Sequence, residues 1–497
     1  MQTIRRIAII LAVGLAAPLT TQALDIKAIA EKPTADNPQY ENKEAWPKLV
    51  GDEYFLKQKW EESRTYIWNV QKSIEAAQAG GRRHGPDATD PSNWIDAATG
   101  KPATELPDMD TDLILPDSDT PYKAALGNED TKGAFCRHVT IGKNATFSSW
   151  GARHHRLRLF GNLWIRPGGS MRTGQGNLAF TGDKHTFLRY DWPEDGVLKK
   201  LHDQRAVSPY KVNGEVILSP WMANCIGTYM VHDKPAGVST EVLGLARMAD
   251  EVGIRSGTFI IGRDSRFVST GPSSVSITKG AKVVLMDGAQ CSHGQNQFVN
   301  RDWGVHAGAA VTGGTPDRPL KRNAYMGLGY RNWQNLPIPQ HENETKPLPT
   351  TADGTKMYYA YGGYNAMVQG DLIGYPAPGT DARLVVCWQR ISSGGAGSWG
   401  RTDEAFQKVF PDFPPKITIW ISGTSMLENV RFDDLHRGGI VTANMEAFNG
   451  WENISFGDAC LSKDPEKLVR SYEAELAEMG GGHPMSTLLP KEKYTTP

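Results

Sequence analysis

The pattern of apolar and polar positions in the last quarter of the chain repeats itself. Residues 428–432 read Glu-Asn-Val-Arg-Phe, and residues 452–456, 24 positions later, read Glu-Asn-Ile-Ser-Phe. Between the two copies, residues 438–441 form a further strand candidate, and upstream residues 417–421 alternate between polar and apolar side chains. A period in the twenties is typical of a chain that coils, with several short strands in each turn of the coil.

The same offset occurs nearer the amino terminus. Residues 139–141 read Val-Thr-Ile and residues 163–165 read Leu-Trp-Ile, again 24 positions apart. Short alternating runs at 257–261, 275–277 and 283–285 are separated by glycines. One turn of a coil cannot bury its apolar face until the next turn stacks on it. We therefore predict an all-β chain with a parallel β-helix over residues 121–465; a β-sandwich or jelly roll remains the alternative, since it also has short strands and glycine turns.

The first 23 residues have the layout of a secretory signal peptide. Arg5 and Arg6 precede an apolar stretch over residues 7–19, and a small-residue site ends at Ala23. The apolar stretch is shorter than the roughly 20 residues that a membrane-spanning helix needs. The sequence therefore predicts cleavage after Ala23 and a secreted or periplasmic protein that keeps no membrane span.

Three further segments complete the predicted organisation. Residues 24–120 are predicted to be an amino-terminal extension with a short helical cap and loops, because Tyr66, Ile67 and Val70 fall near helical spacing. Polar stretches over 191–211 and 316–355 predict projecting loops of the kind that carry binding surfaces. A helix and tail are expected over 466–497.

Composition and charge narrow the function classes. The 54 Lys and Arg residues nearly balance 55 Asp and Glu residues, so the chain lacks the basic excess of a nucleic-acid-binding protein. The five cysteines are widely spaced, without a C-x-x-C pair; one or two disulfides would suit export, but buried free thiols are favoured. Motifs of nucleotide-binding enzymes, zinc proteases and α/β-hydrolases are absent from the sequence.

The repeated Glu-Asn-Val-Arg-Phe and Glu-Asn-Ile-Ser-Phe units resemble those of the pectate-lyase-like superfamily of right-handed parallel β-helix proteins. The glycine-punctuated strands over 257–288 add weaker support, and the likeness covers about a third of the chain. The resemblance implies a lyase or hydrolase of acidic or sulfated polysaccharides, although other members are adhesins or structural proteins. The matching motifs describe architecture and transfer no active-site residues.

Candidate chemistry lies in two polar clusters and a tyrosine-rich patch. Elimination at a uronate needs a cation beside the carboxylate, a base for the adjacent C5 proton and an acid for the leaving oxygen. The predicted catalytic residues are His155, Arg156, Arg158, His293, Arg301 and His306. The predicted substrate-binding residues, which offer amides and aromatic rings to a sugar, are Asn296, Gln297, Trp303, Tyr359 and Tyr361. The alternatives are a solvated basic strand for the first cluster and ordinary aromatic packing for the tyrosines.

Hydrolysis would instead need two carboxyl groups across the bond. Asp434 and Asp458 lie 24 positions apart and are predicted to stack on neighbouring turns, where they would serve a hydrolase, hold Ca²⁺ or cap turns. No other cofactor is indicated. The sequence thus predicts an exported enzyme that depolymerises an acidic or sulfated polysaccharide, by β-elimination rather than hydrolysis, with a non-catalytic adhesion or glycan-binding solenoid as the alternative.

Overall fold

The computed structural model describes nineteen stretches of the chain. They are residues 63–80, 85–126, 134–149, 156–173, 177–190, 210–212, 215–217, 224–227, 229–248, 252–269, 275–293, 303–329, 366–389, 418–421, 425–433, 439–442, 451–457, 468–471 and 474. Within them the protein is all-β, with one α-helix of more than a single turn, α1 (Val70–Gln78). The described part of the chain contains no helix that is long and apolar enough to cross a membrane.

The strands form three long sheets in which neighbours run parallel. Sheet 1 contains β1 (Arg64–Trp68), β3 (Thr111–Leu115), β6 (Val139–Ile141), β9 (Leu163–Ile165), β12 (Thr186–Tyr190), β17 (Ser239–Met248), β19 (Thr258–Ile261), β22 (Lys282–Leu285), β25 (Ala310–Gly313), β28 (Asp371–Gly374), β31 (Leu427–Glu428) and β34 (Trp451–Glu452). At its amino-terminal edge, β2 (Trp94–Asp96) pairs with β1 in the antiparallel sense.

Sheet 2 has two hydrogen-bonded parts, whose facing strands β10 and β15 lie next to each other. The first part contains β4 (Tyr122–Leu126), β7 (Ala145–Ser149) and β10 (Ser170–Thr173). The second contains β15 (Asn224–Gly227), the later half of β17, β20 (Arg266–Ser269), β23 (Gln290–His293), β26 (Ala324–Gly329), β29 (Leu384–Gln389), β32 (Val430–Asp433) and β35 (Ser455–Phe456).

Sheet 3 has eleven strands. They are β5 (Ala134–Cys136), β8 (Arg156–Leu159), β11 (Asn177–Phe180), β16 (Tyr229–Asp233), β18 (Val252–Ser256), β21 (Val275–Ile277), β24 (Trp303–Val305), β27 (Ala366–Val368), β30 (Thr418–Ile421), β33 (Gly439–Thr442) and β36 (Val469–Ser471). A separate antiparallel hairpin of β13 (Tyr210–Val212) and β14 (Glu215–Ile217) lies between β12 and β15 in the chain.

From β3 onward the chain visits sheets 1, 2 and 3 in the same order, and we call each such round a rung. Apart from β10, which lies beside β15 without pairing to it, each strand up to the tenth rung pairs with the strand one rung later, an arrangement compatible with a β-solenoid. The predicted repeats are confirmed: Val139 is in register with Leu163, and Phe432 with Phe456. A β-sandwich or jelly roll is built from antiparallel strands, so the parallel pairing does not fit that alternative.

The rungs bury one face of every strand. Inward positions stack as continuous apolar rows, for example Val283 on Phe259 in sheet 1, both about 1 % exposed. Stacking identical positions lets each rung bury what it cannot bury alone. Cys136, Cys291 and Cys387 are buried free thiols, which agrees with the favoured interpretation for these three residues.

The corner between sheets 1 and 2 explains the repeated asparagine. Asn429 and Asn453 have φ of 51° and 53°, in the left-handed region that asparagine tolerates better than most residues. The Asn453 side-chain amide donates to Asn429 Oδ1 at 2.7 Å, and the Asn429 amide donates to the Gly374 carbonyl at 3.0 Å. The asparagines therefore allow the turn and tie successive rungs together.

One rung turns this corner without interrupting its strand. In β17, Gly244 has φ of 93°, and a Cβ there would lie 1.7 Å from the Tyr190 carbonyl oxygen. The first half of β17 pairs within sheet 1 and the second half within sheet 2. Only glycine fits this position, because any side chain would clash with backbone.

Three predicted boundaries differ from the structure. Tyr66 and Ile67 lie on strand β1, and the helix begins at Val70, because pairing with β3 overrides the local helical spacing. Parallel stacking therefore starts before residue 121. The predicted loop over 316–355 contains β26, a strand of sheet 2. At the other end, β36 of sheet 3 lies inside the predicted helix and tail of 466–497.

Candidate functional site

The outer face of sheet 3 carries a row of small side chains across five consecutive strands. In register, the row reads Ala179, Val231, Gly253, Ser276 and Gly304. The inward neighbours of these residues, such as Leu178 and Ile277, are buried in the core, so the row itself faces outward. We call this row the sheet 3 trough. Short side chains let a ligand approach the backbone of the sheet closely.

His306 lies over the trough at its carboxyl-terminal end. It follows β24 and is exposed, and its Nε2 is 3.1 Å from Ser276 Oγ on the neighbouring strand. A Cβ at Gly304 would be 3.7 Å from the same nitrogen, so the ring extends across the glycine. The hydrogen bond to Ser276 fixes the imidazole beside the row of small side chains.

Basic side chains line the corner that leads from the trough into sheet 1. Arg255, Lys279, Lys282 and His306 are all exposed, and we call them the basic corner. The stem of Lys279 lies against Gly308 of the following rung, 3.1 Å from the position of a Cβ there. Among the ion pairs of the described residues, none involves these four side chains. The charges of Arg255, Lys279 and Lys282 are therefore available to an anionic ligand.

The trough has a basic and an aromatic boundary. Arg158 of β8 precedes Ala179 in the row, and Met367 and Trp420 follow Gly304. Trp420 lies three strands from Ser276, about 14 Å at the usual strand spacing of roughly 4.8 Å. A partly exposed indole at this position suits stacking on a sugar ring.

Four of the predicted site residues lie in sheets 2 and 3, besides His306. Arg156 opens β8 and Arg158 is exposed on that strand. His293 closes β23 in sheet 2. Trp303 opens β24, at the register position of Val275 and Ala366, both of which are buried in the core. The remaining predicted residues lie outside the described part of the chain: His155, Asn296, Gln297, Arg301, Tyr359, Tyr361, Asp434 and Asp458.

Arg158 and His306, one from each predicted basic cluster, both lie along sheet 3 but far apart. From β8, which carries Arg158, five strand spacings lead through β11, β16, β18 and β21 to β24 and His306. This separation is about 24 Å at the usual spacing. General acid and base groups must each reach their proton within about 3 Å, so Arg158 and His306 cannot both act on one bond.

His232 and Lys234 form a second set of ionisable groups. They lie at an earlier corner between sheets 3 and 1, and unlike the basic corner they are buried. The Lys234 amine donates to the carbonyls of Thr181 and Lys184, both at 2.9 Å, and burial lowers its pKa to about 7. Burial, together with the nearby Lys234 charge, lowers the pKa of His232 to about 3. Perturbed groups often mark functional sites, but buried structural networks produce the same shifts.

Two other imidazoles at corners of this type belong to the scaffold. His185 Nδ1 accepts the backbone N–H of Ser239, one rung later, at 3.1 Å and lies 2.6 Å from the Ser239 hydroxyl. His138 Nδ1 accepts the N–H of Asn162, also one rung later, at 2.8 Å. Each imidazole thus accepts a backbone N–H of the next rung, which is the behaviour of a cap on the edge of a turn.

Sequence reasoning missed most of the basic corner and the trough. Only His306 stands out in the sequence, because it lies in a conspicuously polar stretch, whereas Arg255, Lys279 and Lys282 have no charged residue directly beside them. The available signal was a basic residue recurring once per rung. In the described part of the chain, no three His, Cys, Asp or Glu side chains come together as metal ligands; the two predicted Ca²⁺ residues lie outside it.

Comparison with known proteins adds no family assignment. No family model, curated protein or solved structure matches this chain.

Proposed function

We propose that the protein is an exported right-handed parallel β-helix of the pectate-lyase-like type that binds an acidic or sulfated polysaccharide and cleaves it by β-elimination. The observation that carries the proposal is the basic corner beside the sheet 3 trough. Its four unpaired basic side chains recur along the stacking direction of the rungs, next to a row of small side chains. An extended polyanion running along the rungs would meet positive charge at successive steps.

The chemistry available at this position suits elimination. Lys279 or Lys282 would neutralise the carboxylate of a uronate, which acidifies the adjacent C5 proton. His306, held by Ser276, would take that proton; the electron pair then forms the C4–C5 double bond as the C4–O bond breaks and the leaving oxygen receives a proton. Hydrolysis would instead need two carboxyl groups flanking the bond.

The first experiment separates the reaction classes. The full-length purified chain is incubated with uronate-containing and sulfated glycans while the ultraviolet absorbance of unsaturated uronate and new reducing ends are recorded. Both signals should rise. Reducing ends without absorbance would mean hydrolysis, and chelation of Ca²⁺ during the assay tests dependence on that metal. Glycan binding without either signal would favour the adhesion alternative and overturn the enzyme proposal.

The second experiment separates the two basic clusters. His306→Ala should lower turnover by roughly 10²- to 10⁴-fold, the usual contribution of a general base. Lys143→Ala, which removes an exposed cation from the corner between sheets 1 and 2, is the matched control and should leave turnover unchanged. Loss of turnover in Arg156→Ala but not in His306→Ala would move the reaction centre to the amino-terminal cluster.

A further inference from the structure

The basic corner lies between two carboxylates. Asp233 ends β16 and is exposed at the corner before that of Arg255. Asp371 opens β28 and is partly exposed at the corner after that of His306. Along the stacking direction, these successive corners between sheets 3 and 1 therefore change from acidic to basic and back to acidic.

Hydrogen bonds hold both carboxylates at their corners. Ser256 Oγ donates to Asp233 Oδ1 at 2.7 Å, and the backbone N–H of Met426 donates to Asp371 Oδ1 at 3.1 Å. No ion pair within the described part of the chain involves either aspartate. Each aspartate therefore places a carboxylate at a fixed position beside the basic corner.

The buried Lys234, which follows Asp233 in the chain, does not take the place of a surface cation there. Its side chain is 1 % exposed, and its amine donates to the carbonyls of Thr181 and Lys184, one corner earlier. The amine is thus directed away from Arg255 and the rest of the basic corner. A ligand bound at the surface would meet the carboxylate of Asp233 and not this amine.

The spacing of these charges limits how many acidic sugars can bind in a row. The basic side chains occupy three successive corners, a length of two strand spacings or about 10 Å. Asp233 lies about one further spacing away on one side. On the other side, Asp371 is in register with Ala310, and Ala310 with Lys282. A sugar unit of an extended polysaccharide is nearly as long as one spacing, so few acidic sugars fit before the next one meets a carboxylate.

We propose that Asp233 and Asp371 restrict the basic corner to polysaccharides in which a neutral sugar separates the acidic ones. This inference rests on the proposed binding of an acidic polysaccharide at the basic corner, and it adds the class of polymer. A polymer of alternating charge can place its anions on the basic side chains and a neutral sugar beside each aspartate. A long polymer with an anion on every sugar brings like charges together at Asp233 and Asp371, and such repulsion rejects the wrong partner.

The test compares a polymer that has a carboxylate on every sugar, polygalacturonate, with one that has a carboxylate on every second sugar, hyaluronan. Dissociation constants are measured by titration calorimetry at low salt, because salt screens exposed charges. All full-length chains carry His306→Gln, which removes the proposed base and prevents cleavage during the titration. Asp233→Asn and Asp371→Asn remove the two charges, and each amide can still accept the hydrogen bond of the carboxylate that it replaces.

Each of these two substitutions should tighten the binding of polygalacturonate by about two- to fivefold, the usual size of an interaction between exposed charges. The binding of hyaluronan should change by less than about twofold. Asp110→Asn is the matched control, because it removes an exposed carboxylate at the amino-terminal end of the fold. It should leave the affinity for both polymers unchanged.

Two results would overturn the inference alone. Equal tightening for both polymers would mean that the aspartates repel anions without selecting between them, and unchanged affinities would mean that neither aspartate lies beside the bound polymer. The failure of every variant to bind either polymer would overturn the inference together with the proposed function. Selective tightening, with no cleavage of either polymer by the chain that retains His306, would support the inference and contradict only the enzymatic part of the proposed function.

Discussion

Two parts of the same interior are built from different chemistry. Where β12, β16 and β17 meet, a hydrogen-bonded chain runs from Thr186 through Thr240 to His232, with Oγ1–Oγ1 and Nε2–Oγ1 distances of 2.9 and 3.1 Å. Nδ1 of His232 continues it to the Ser256 carbonyl at 2.9 Å. Around β31 to β35 the interior of sheet 2 holds apolar side chains, with Phe432 stacked on Phe456 at a ring-centroid distance of 5.9 Å.

The comparison shows that stacked rungs can have either apolar or hydrogen-bonded polar side chains in their interior. In both cases each stacked row of side chains must be complete. Apolar rows gain from burial alone, and any residue of similar size continues them. A buried polar row is stable only while every member has its partner, because an unsatisfied buried group costs about 1–3 kcal/mol. The polar rows therefore tolerate fewer substitutions and respond to pH.

The largest effect should come from the apolar part. Phe432→Ala removes a fully buried ring and should lower the free energy of unfolding by about 3–5 kcal/mol, measured by urea denaturation. Phe456→Ala, in the half-buried last rung, is the matched comparison and should cost clearly less. Equal losses would show that the two rungs are buried alike in solution.

The polar part, which contains His232, should differ from the apolar part in how its stability responds to low pH. With a folded-state pKa of about 3 against an ordinary value of 6.5, His232 stays neutral in the fold while the unfolded chain takes up a proton. Stability is therefore lost as pH falls from 6.5 towards 3, by about 1.4 kcal/mol per pH unit, or about 3 kcal/mol at pH 4.

The variant His232→Gln keeps hydrogen-bonding groups but cannot titrate. Its unfolding free energy, measured between pH 4 and 6.5, should fall less steeply than that of the unchanged protein by this amount. His306→Gln, at an exposed histidine, should keep the original slope. Identical slopes for all three proteins would mean that His232 is protonated in the fold.

A smaller effect should come from the corner between sheets 1 and 2, where Asn429 has a left-handed backbone conformation. Asn429→Ala places an alanine at φ of 51° and removes the side-chain bonds to Gly374 and Asn453, at a cost of about 1–2 kcal/mol. Asn429→Gly relieves the backbone strain and should cost less. Equal urea midpoints for the two variants would show that the hydrogen bonds alone matter.

The sequence predicted the fold best where the interior is apolar. Residues 428–432 and 452–456 repeat visibly because three of their five positions meet the same residue type one rung later and a fourth pairs valine with isoleucine. The rungs around His232 conceal the period, since threonine and histidine replace apolar residues at inward positions. Strand β26 was taken for part of a loop because Lys321, Arg322 and Asn323 precede its short alternating run.

The candidate site was less accessible to prediction. Lys279 and Lys282 share one corner, but Arg255 and His306 lie 24 residues before and after them and come near only because consecutive rungs repeat the same corner. The trough is defined by the short side chains of its residues, and a glycine or serine at one position per rung produces no distinctive local pattern in the sequence. The basic corner and the sheet 3 trough can both be located from the register of the paired strands but not from the composition of the sequence.

The backbone hydrogen bonds of the sheets point along the direction in which the rungs stack. The resistance of the fold to stretching therefore depends on each interface between neighbouring rungs. Eleven strands of sheet 3 span ten intervals, about 48 Å at roughly 4.8 Å each. Force that draws the two ends apart passes through every interval in series, and the weakest one yields first. Near the carboxyl end, β31 meets β34, and β32 meets β35, through two residue pairs each, whereas β17 meets β19 and β20 through four each. The ladders are equally sparse where sheet 2 has no hydrogen-bonded pairing between β10 and β15, so the fold should yield first either there or at its carboxyl-terminal rung.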